Sequence, residues 1–194
     1  MNMRRAEMRT AGVFVVALLL LASACGGEIG DVRYDKWRRY TDEADNYVVL
    51  IPPDWTASDE VVPGYRGTRF APTEKYSGDI ASFVYYAVMV KDLEDPDADF
   101  AEISESTIRD LLRGIWTELE LERSAGEFAG KPAMIYEMYG TPLYTEYSLR
   151  GQTAAVIHEG KLYLFMASAT DGSYEGLAEE FGLIRRSVQL DPEP

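Results

Sequence analysis

One cysteine, Cys25, and one histidine, His158, are all the chain holds of the two residue types that dominate metal and nucleophile chemistry. A disulfide needs two cysteines, and a structural zinc site draws its ligands mainly from Cys and His, so neither can be built here. A hydrolytic triad would have to run through His158, and no Gly-x-Ser-x-Gly elbow precedes a helix. No glycine-rich stretch leads into Lys-Ser or Lys-Thr, which removes the common phosphate cradle. Basic residues are scarce too: 19 Lys and Arg stand against 33 Asp and Glu, a formal charge of −14. So acidic a chain lacks the basic surface that nucleic acid requires and gains nothing from anionic headgroups. Among its many carboxylates no spacing singles out a glycosidase pair. The composition predicts a protein that is not an enzyme, holds no cofactor and binds no nucleic acid.

No apolar run is long enough to span a bilayer. The longest, from Ala11 to Leu21, has eleven residues, against roughly 20 for a membrane-crossing helix. It follows Arg4, Arg5 and Arg9, diluted only by Glu7, and closes on small residues, so residues 1–24 read as an export signal. Leu21-Ala22-Ser23-Ala24-Cys25 resembles the lipobox of bacterial lipoproteins, with Ala22 standing where leucine is commonest. The resemblance implies a diacylglycerol on the Cys25 thiol, cleavage before it, and the membrane as a partner. It places the protein on the outer face of the cytoplasmic membrane or in an outer membrane, the latter favoured by Gly26 if the host has one. Two or more acyl chains, at ~0.8 kcal/mol per buried methylene, make a stable anchor. Residues 25–33 then form a flexible tether, whose Gly26–Asp31 stretch reaches roughly 20 Å at ~3.5 Å per residue.

Without residues 1–24, 16 basic and 32 acidic residues remain, a formal charge of −16. The remaining 170 residues suffice for one domain, expected over 34–190 with a short tail at 191–194. A domain of that size buries about 70% of its unfolded surface. Trp37 to Thr41 predicts a first strand, an acidic turn follows, and Tyr47 to Ile51 predicts a second, stopped by Pro52-Pro53. Trp55 is read in the turn after it. Further strands are expected over Tyr65–Phe70, Ile80–Val90, Leu119–Phe128, Ala133–Tyr139, Tyr144–Ile157 and Lys161–Ala169, the last two as a hairpin through Glu159-Gly160.

Phe100, Ile103, Ile108, Leu111, Leu112, Ile115 and Leu119 recur at helical spacing after Asp97 and Asp99, either of which suits an N-cap. Gly114 then lies inside that helix at a cost of ~1 kcal/mol relative to Ala. A second helix is expected over Tyr174–Val188, capped by Ser173, with Arg185 and Arg186 favourably near its C-terminal end. The fold class is α+β, a central antiparallel sheet with flanking helices.

Three segments carry a family resemblance. Tyr47-Val48-Val49-Leu50-Ile51-Pro52-Pro53-Asp54-Trp55, Phe128-Ala129-Gly130-Lys131-Pro132-Ala133 and Ile184-Arg185-Arg186-Ser187-Val188-Gln189-Leu190 are similar to the opening, the "G-x-P-A" turn and the closing segment of the PsbP-like family. The fold of that family is shared with the Mog protein and with envelope lipoproteins of the LpqN and DcrB types. The resemblance implies a sheet sandwiched between helices (α/β/α) and an accessory or binding role. It carries over no site residue; Pro52 and Trp55 match it as a strand stop and a core plug.

Candidate sites follow from residue chemistry. Tyr85, Tyr86, Tyr136, Tyr139, Tyr144, Tyr147 and Tyr163 fall on expected strands, and tyrosine joins apolar area to a polar tip, which suits interfaces. Packing explains them equally, since tyrosine favours strands. Asp95, Asp97 and Asp99 alternate as calcium ligands do, but Phe100 and Ser106 stand where an EF-hand loop needs Gly and Glu. His158 is read as a surface or edge residue beside the hairpin turn. The leading functional expectation is a lipid-anchored envelope protein acting through protein contacts. The alternatives are a small-molecule or lipid carrier with a tyrosine-lined pocket and, behind both, an envelope hydrolase.

Overall fold

The computed structural model describes residues 36–60, 62–73, 83–95, 99–113, 115–143 and 145–192. The export signal, Cys25, the tether, the start of the strand expected from Ile80, Asp97, Gly114 and Tyr144 lie outside the described residues.

β1 (Arg38–Asp42) and β2 (Tyr47–Ile51) form a hairpin. Its acidic turn is held by Asp42, whose Oδ1 accepts from the backbone N–H groups of Ala44 and Asp45, both at 3.0 Å. β10 (Gln189–Leu190) pairs with the other side of β2, giving a three-stranded sheet in the order β1-β2-β10. The larger sheet has seven strands in the order β3-β4-β5-β9-β8-β7-β6. They are β3 (Trp55–Asp59), β4 (Arg66–Pro72), β5 (Tyr85–Asp92), β6 (Trp116–Phe128), β7 (Lys131–Pro142), β8 (Leu149–His158) and β9 (Lys161–Thr170), each antiparallel to its neighbours. α1 (Phe100–Leu112) carries the chain from β5, inside the sheet, to the far edge at β6; α2 (Asp171–Ser187) follows β9. No helix among the described residues is long and apolar enough to cross a membrane.

Alternation along β5 and β9 explains the layering, because successive side chains point to opposite faces. Tyr86, Val88, Val90, Tyr163, Phe165 and Ala167 join one core with Leu177, Phe181 and Ile184 of α2 and Tyr47, Val49 and Ile51 of β2. Ala87, Met89, Leu162, Leu164 and Met166 join the other with Ile108, Leu111 and Leu112 of α1. Burial on both faces accounts for the near-continuous apolar runs of these strands. The expected antiparallel sheet with two helices is met; Leu177, Phe181 and Ile184 of α2 share the first core with the three-stranded sheet, and Ile108, Leu111 and Leu112 of α1 lie in the second.

Four element boundaries correct the sequence reading. Trp55–Asp59 is a strand; only Trp55 is buried and the next four residues are exposed, so a polar edge strand looked like a turn. α1 stops at Leu112, and Ile115 and Leu119 belong to a turn and to β6. Pairing along the length of β7 overrides helical spacing there, with the register shifting between Thr117 and Glu120, where Glu118 takes φ 53°. β8 begins at Leu149 rather than Tyr144. Ser173 lies inside α2, whose N-cap is Thr170; the Thr170 hydroxyl donates to Ser173 Oγ at 2.9 Å. Asp99 caps α1 as expected, accepting from the Glu102 N–H at 2.9 Å. Asp191, read as the start of a short tail, accepts from Asn46 Nδ2 at 2.8 Å and contacts His158.

Candidate functional site

Tyr85 and Tyr86 are adjacent on β5, so they face opposite sides of the sheet and cannot serve one surface. Tyr86 is buried on the face of α2. Tyr163 shares that face, and its hydroxyl donates to the Asp45 carbonyl at 2.9 Å. Burial pushes the Tyr163 phenol up to about 12, with the nearby Asp45 carboxylate adding to the effect. Tyr136 is buried on the face of α1, its hydroxyl 2.6 Å from Ser104 Oγ and donating to the Ala101 carbonyl at 3.2 Å. Burial raises its pKa against the opposing pull of the Ser104 hydrogen bond. Tyr139 lies beside the Arg150 guanidinium, 5.6 Å from its ring, and Tyr147 is exposed in the segment before β8. The structure does not gather these tyrosines into one face. Tyr86, Tyr136 and Tyr163 tie the sheet to its covering layers.

Tyr85 alone of these reaches a hollow on the α1 face, of about 200 Å³. The early end of α1 creates it. Leu111 and Leu112 form one wall, the Ile115 N–H donates to the Leu112 carbonyl at 3.0 Å, and Trp116 drops into β6. Beneath the uncovered sheet lie Ala87 and Met166, directly paired between β5 and β9, with Met89 beside them. Alanine leaves room there, and the two methionines can adjust to an occupant. Ile115 is 51% exposed, an unusual position for so large an aliphatic side chain. Glu60 and Arg69 supply the charged lining, and the Arg69 guanidinium carbon sits 4.8 Å over the Tyr85 ring. Burial raises the Tyr85 pKa, opposed by the charge of Arg69. Sequence reasoning missed Ile115, Trp116, Met89 and Met166. The available signal was Gly114, since glycine just past an apolar helical repeat is a stop.

An apolar cavity of about 150 Å³ holds a benzene-sized ligand, whereas drug-sized ligands occupy about 300–1,000 Å³. This hollow therefore fits one ring or one branched alkyl group. Glu60 is its single carboxylate, and no nucleophile faces a base in it.

The other candidates fare differently. Of the candidate calcium ligands, Asp99 is engaged as a helix cap and Asp97 lies outside the described residues. Among the described residues, His158, Glu159 and Asp191 bring ligand atoms within 4.8 Å of one another. Asp191 is already engaged by Asn46 and His158, with Lys131 Nζ 3.9 Å away, so the group reads as a pin holding the end of the chain to the β8–β9 turn. A wider groove of about 870 Å³ runs between the β6–β7 turn and β10, with Arg39, Arg185 and Arg186 facing Glu127 and Asp191 across it. Its mixed charges select no ligand.

No protein-family model matches the chain, and no curated protein is similar to it in sequence. Solved structures do match. Cyanobacterial PsbP (CyanoP) from Synechocystis sp. PCC 6803 is 19% identical over 84% of this chain and 98% of its own, with a TM-score of 0.59. A Pseudomonas aeruginosa protein of unknown function, PA94, is 13% identical over 81% and 98%, with a TM-score of 0.46. LpqN, involved in cell envelope biogenesis of Mycobacterium tuberculosis, is 14% identical over 81% and 80%, with a TM-score of 0.40. At such identities the likeness speaks for the fold and not for a role. The element order, the position of both helices and the CyanoP match agree with the resemblance read from the sequence: the chain has a PsbP-like fold.

Proposed function

We propose that the protein is a lipid-anchored, non-catalytic accessory protein of the cell envelope that acts through protein–protein contacts. In this reading the hollow at the end of α1 receives an apolar side chain of the partner. The observation that carries the reading is Ile115, half-exposed at the edge of an apolar hollow of about 200 Å³. Interfaces draw most of their energy from a few anchors seated in such hollows, surrounded by contacts that exclude water. The lipobox at Cys25 supports the envelope location, because it holds the domain at a membrane without requiring any apolar patch on its surface. The hollow's size favours this reading over a carrier, since enclosing a whole lipid or metabolite takes more volume.

The test is a photo-crosslinking residue at position 115 in native envelopes, with the same residue at Glu179, exposed on α2, as control. A discrete crosslinked protein from position 115 and none from 179 is expected. Equal labelling from both positions would remove the hollow as the docking point. A stoichiometric lipid or metabolite co-purifying with the protein, and lost on Ile115→Lys, would replace the reading with that of a carrier.

A further inference from the structure

A second hollow, of about 220 Å³, lies on the opposite face of the large sheet, beside α2. Two buried polar groups on its lining have no hydrogen-bond partner: the Tyr86 hydroxyl and Arg150 Nε. Tyr86 is only 2% exposed, so water does not solvate its hydroxyl as it would a surface tyrosine. Leaving such groups unpaired on folding forfeits their hydration without return, which native interiors generally avoid.

The rest of the Arg150 head is fixed. Its Nη1 donates to Glu175 at 2.7 Å, and its guanidinium carbon lies 4.8 Å from the Tyr174 ring and 5.6 Å from the Tyr139 ring. Nε is thereby committed to its direction. Part of the remaining polar lining is engaged. Gln152 donates to Glu137 and accepts from Arg185, which locks both ends of its amide. Arg150 and Arg185 are balanced by Glu137 on the lining and by the Glu175 carboxylate bonded to Arg150. The aromatic rings of Phe165 and Phe181 supply apolar surface, and Ala178, a small exposed residue of α2, stands at the edge.

A ligand that suits this lining offers acceptors to two donors, one of them on a guanidinium, and has a compact apolar body. We propose that the hollow binds a small monocarboxylate, its carboxylate meeting Tyr86 Oη and Arg150 Nε and its body packing on Phe165 and Phe181. Arginine and tyrosine hydrogen bonds to a carboxylate are charge-assisted and strong for their number. The volume admits a single ring or a short chain. This site is separate from the hollow at α1, and neither reading depends on the other.

The experiment uses the full-length protein with benzoate and butyrate as probes and benzyl alcohol as the uncharged control, read by calorimetry and by the shift in Tm. Benzoate or butyrate is expected to bind one per chain and raise Tm, and benzyl alcohol to do neither. Tyr86→Phe keeps the ring and removes only the hydroxyl. It is expected to leave the unliganded Tm unchanged or raised, because no hydrogen bond is lost, and to weaken carboxylate binding about tenfold or more. Ala178→Trp is expected to block binding at unchanged unliganded Tm. The proposal is overturned if neither carboxylate binds at millimolar concentration, or if Tyr86→Phe binds as tightly as the parent. A lower unliganded Tm in Tyr86→Phe would likewise overturn it, by showing that the hydroxyl is already satisfied within the protein.

Discussion

Arg66 grips Asp45 with two prongs, Nη2 donating to Oδ1 at 2.8 Å and Nε to Oδ2 at 2.9 Å, where the β1–β2 turn meets the large sheet. Lys161 Nζ donates to the same Oδ1 at 3.0 Å, so one carboxylate joins the small sheet to β4 and β9. Asp45 is 2% exposed, while Arg66 is partly in solvent and also reaches Asp92 at 2.7 and 3.0 Å. Removing the buried partner strands two cations that pack around it. Asp45→Asn is expected to destabilise by about 2–3 kcal/mol, read as a lower urea midpoint at unchanged slope. Asp92→Asn, at the solvent limb of the same arginine, is expected to change the midpoint far less. Equal effects would mean that burial does not set the strength of this network.

The same carboxylate predicts an acid limb. Burial alone would raise the pKa of Asp45, but the hydrogen bonds from Arg66 and Lys161, and then their charges, outweigh it and hold the pKa below the usual carboxylate range. A group whose pKa is lower in the folded state than in the unfolded one stabilises the fold above its unfolded value, and that stability is lost as pH falls through the folded value. Stability measured from pH 6 downward is therefore expected to fall less steeply in Asp45→Asn than in the parent. Parallel curves would assign the acid limb to other carboxylates.

An alkaline limb is expected as well, with the opposite sign. Burial pushes the phenols of Tyr163 and Tyr174 up to about 12. Their contribution is complete below the ordinary tyrosine value of about 10 and is lost as pH rises from there through 12. Tyrosinate absorbance from Tyr163 and Tyr174 should therefore appear only above the ordinary tyrosine range, together with unfolding. A single titration near the ordinary value with the fold intact would contradict the burial.

What the sequence made legible was local. The start of α1 at Asp99, the strand at Tyr47–Ile51 and its proline stop, and the hairpin at Glu159-Gly160 each depend on neighbouring residues. The rest depends on distant partners. β10 is recognisable only once Gln189 and Leu190 lie against Val48 and Tyr47. β3 carries the polar surface of an edge strand, so its pattern resembles a loop. Tyrosine-rich strands suggested a shared face, but alternation sends Tyr85 and Tyr86 apart, and helices on both faces bury most of what remains. The hollow at α1 was hidden by the same ambiguity that misplaced the helix end, because Ile115 and Leu119 fit the helical period as well as they fit a turn and a strand.

Glycine positions give a stability test of the sheet. A Cβ at Gly151 on β8 would lie 2.6 Å from the Ala167 carbonyl oxygen and 2.6 Å from Met138 Cε, and the backbone oxygen cannot move aside cheaply. Gly151→Ala is expected to destabilise by about 1–3 kcal/mol through overpacking. Gly176 on α2 has nothing within 4 Å of that position, so Gly176→Ala is expected to stabilise by about 0.5–1 kcal/mol by removing helix-interior glycine. The pair should move the urea midpoint in opposite directions.

Ile115 and Trp116 are adjacent, yet the structure gives them separable roles. Trp116 is 7% exposed and its ring lies against Gly140, where a Cβ would come within 2.9 Å of it. Trp116→Ala is expected to destabilise by about 3–5 kcal/mol, the cost of an emptied aromatic site. Ile115, half in solvent, contributes little to folding, so Ile115→Lys is expected to stay within about 0.5 kcal/mol of the parent. It nonetheless puts a charge at the edge of the apolar hollow, which no buried side chain of a partner would tolerate unpaired. The expected result is a protein with the parent's urea midpoint that no longer forms the crosslinked complex in envelopes. A variant that loses stability along with the complex would make Ile115 a core residue, and the docking role would then pass to some other surface of the domain.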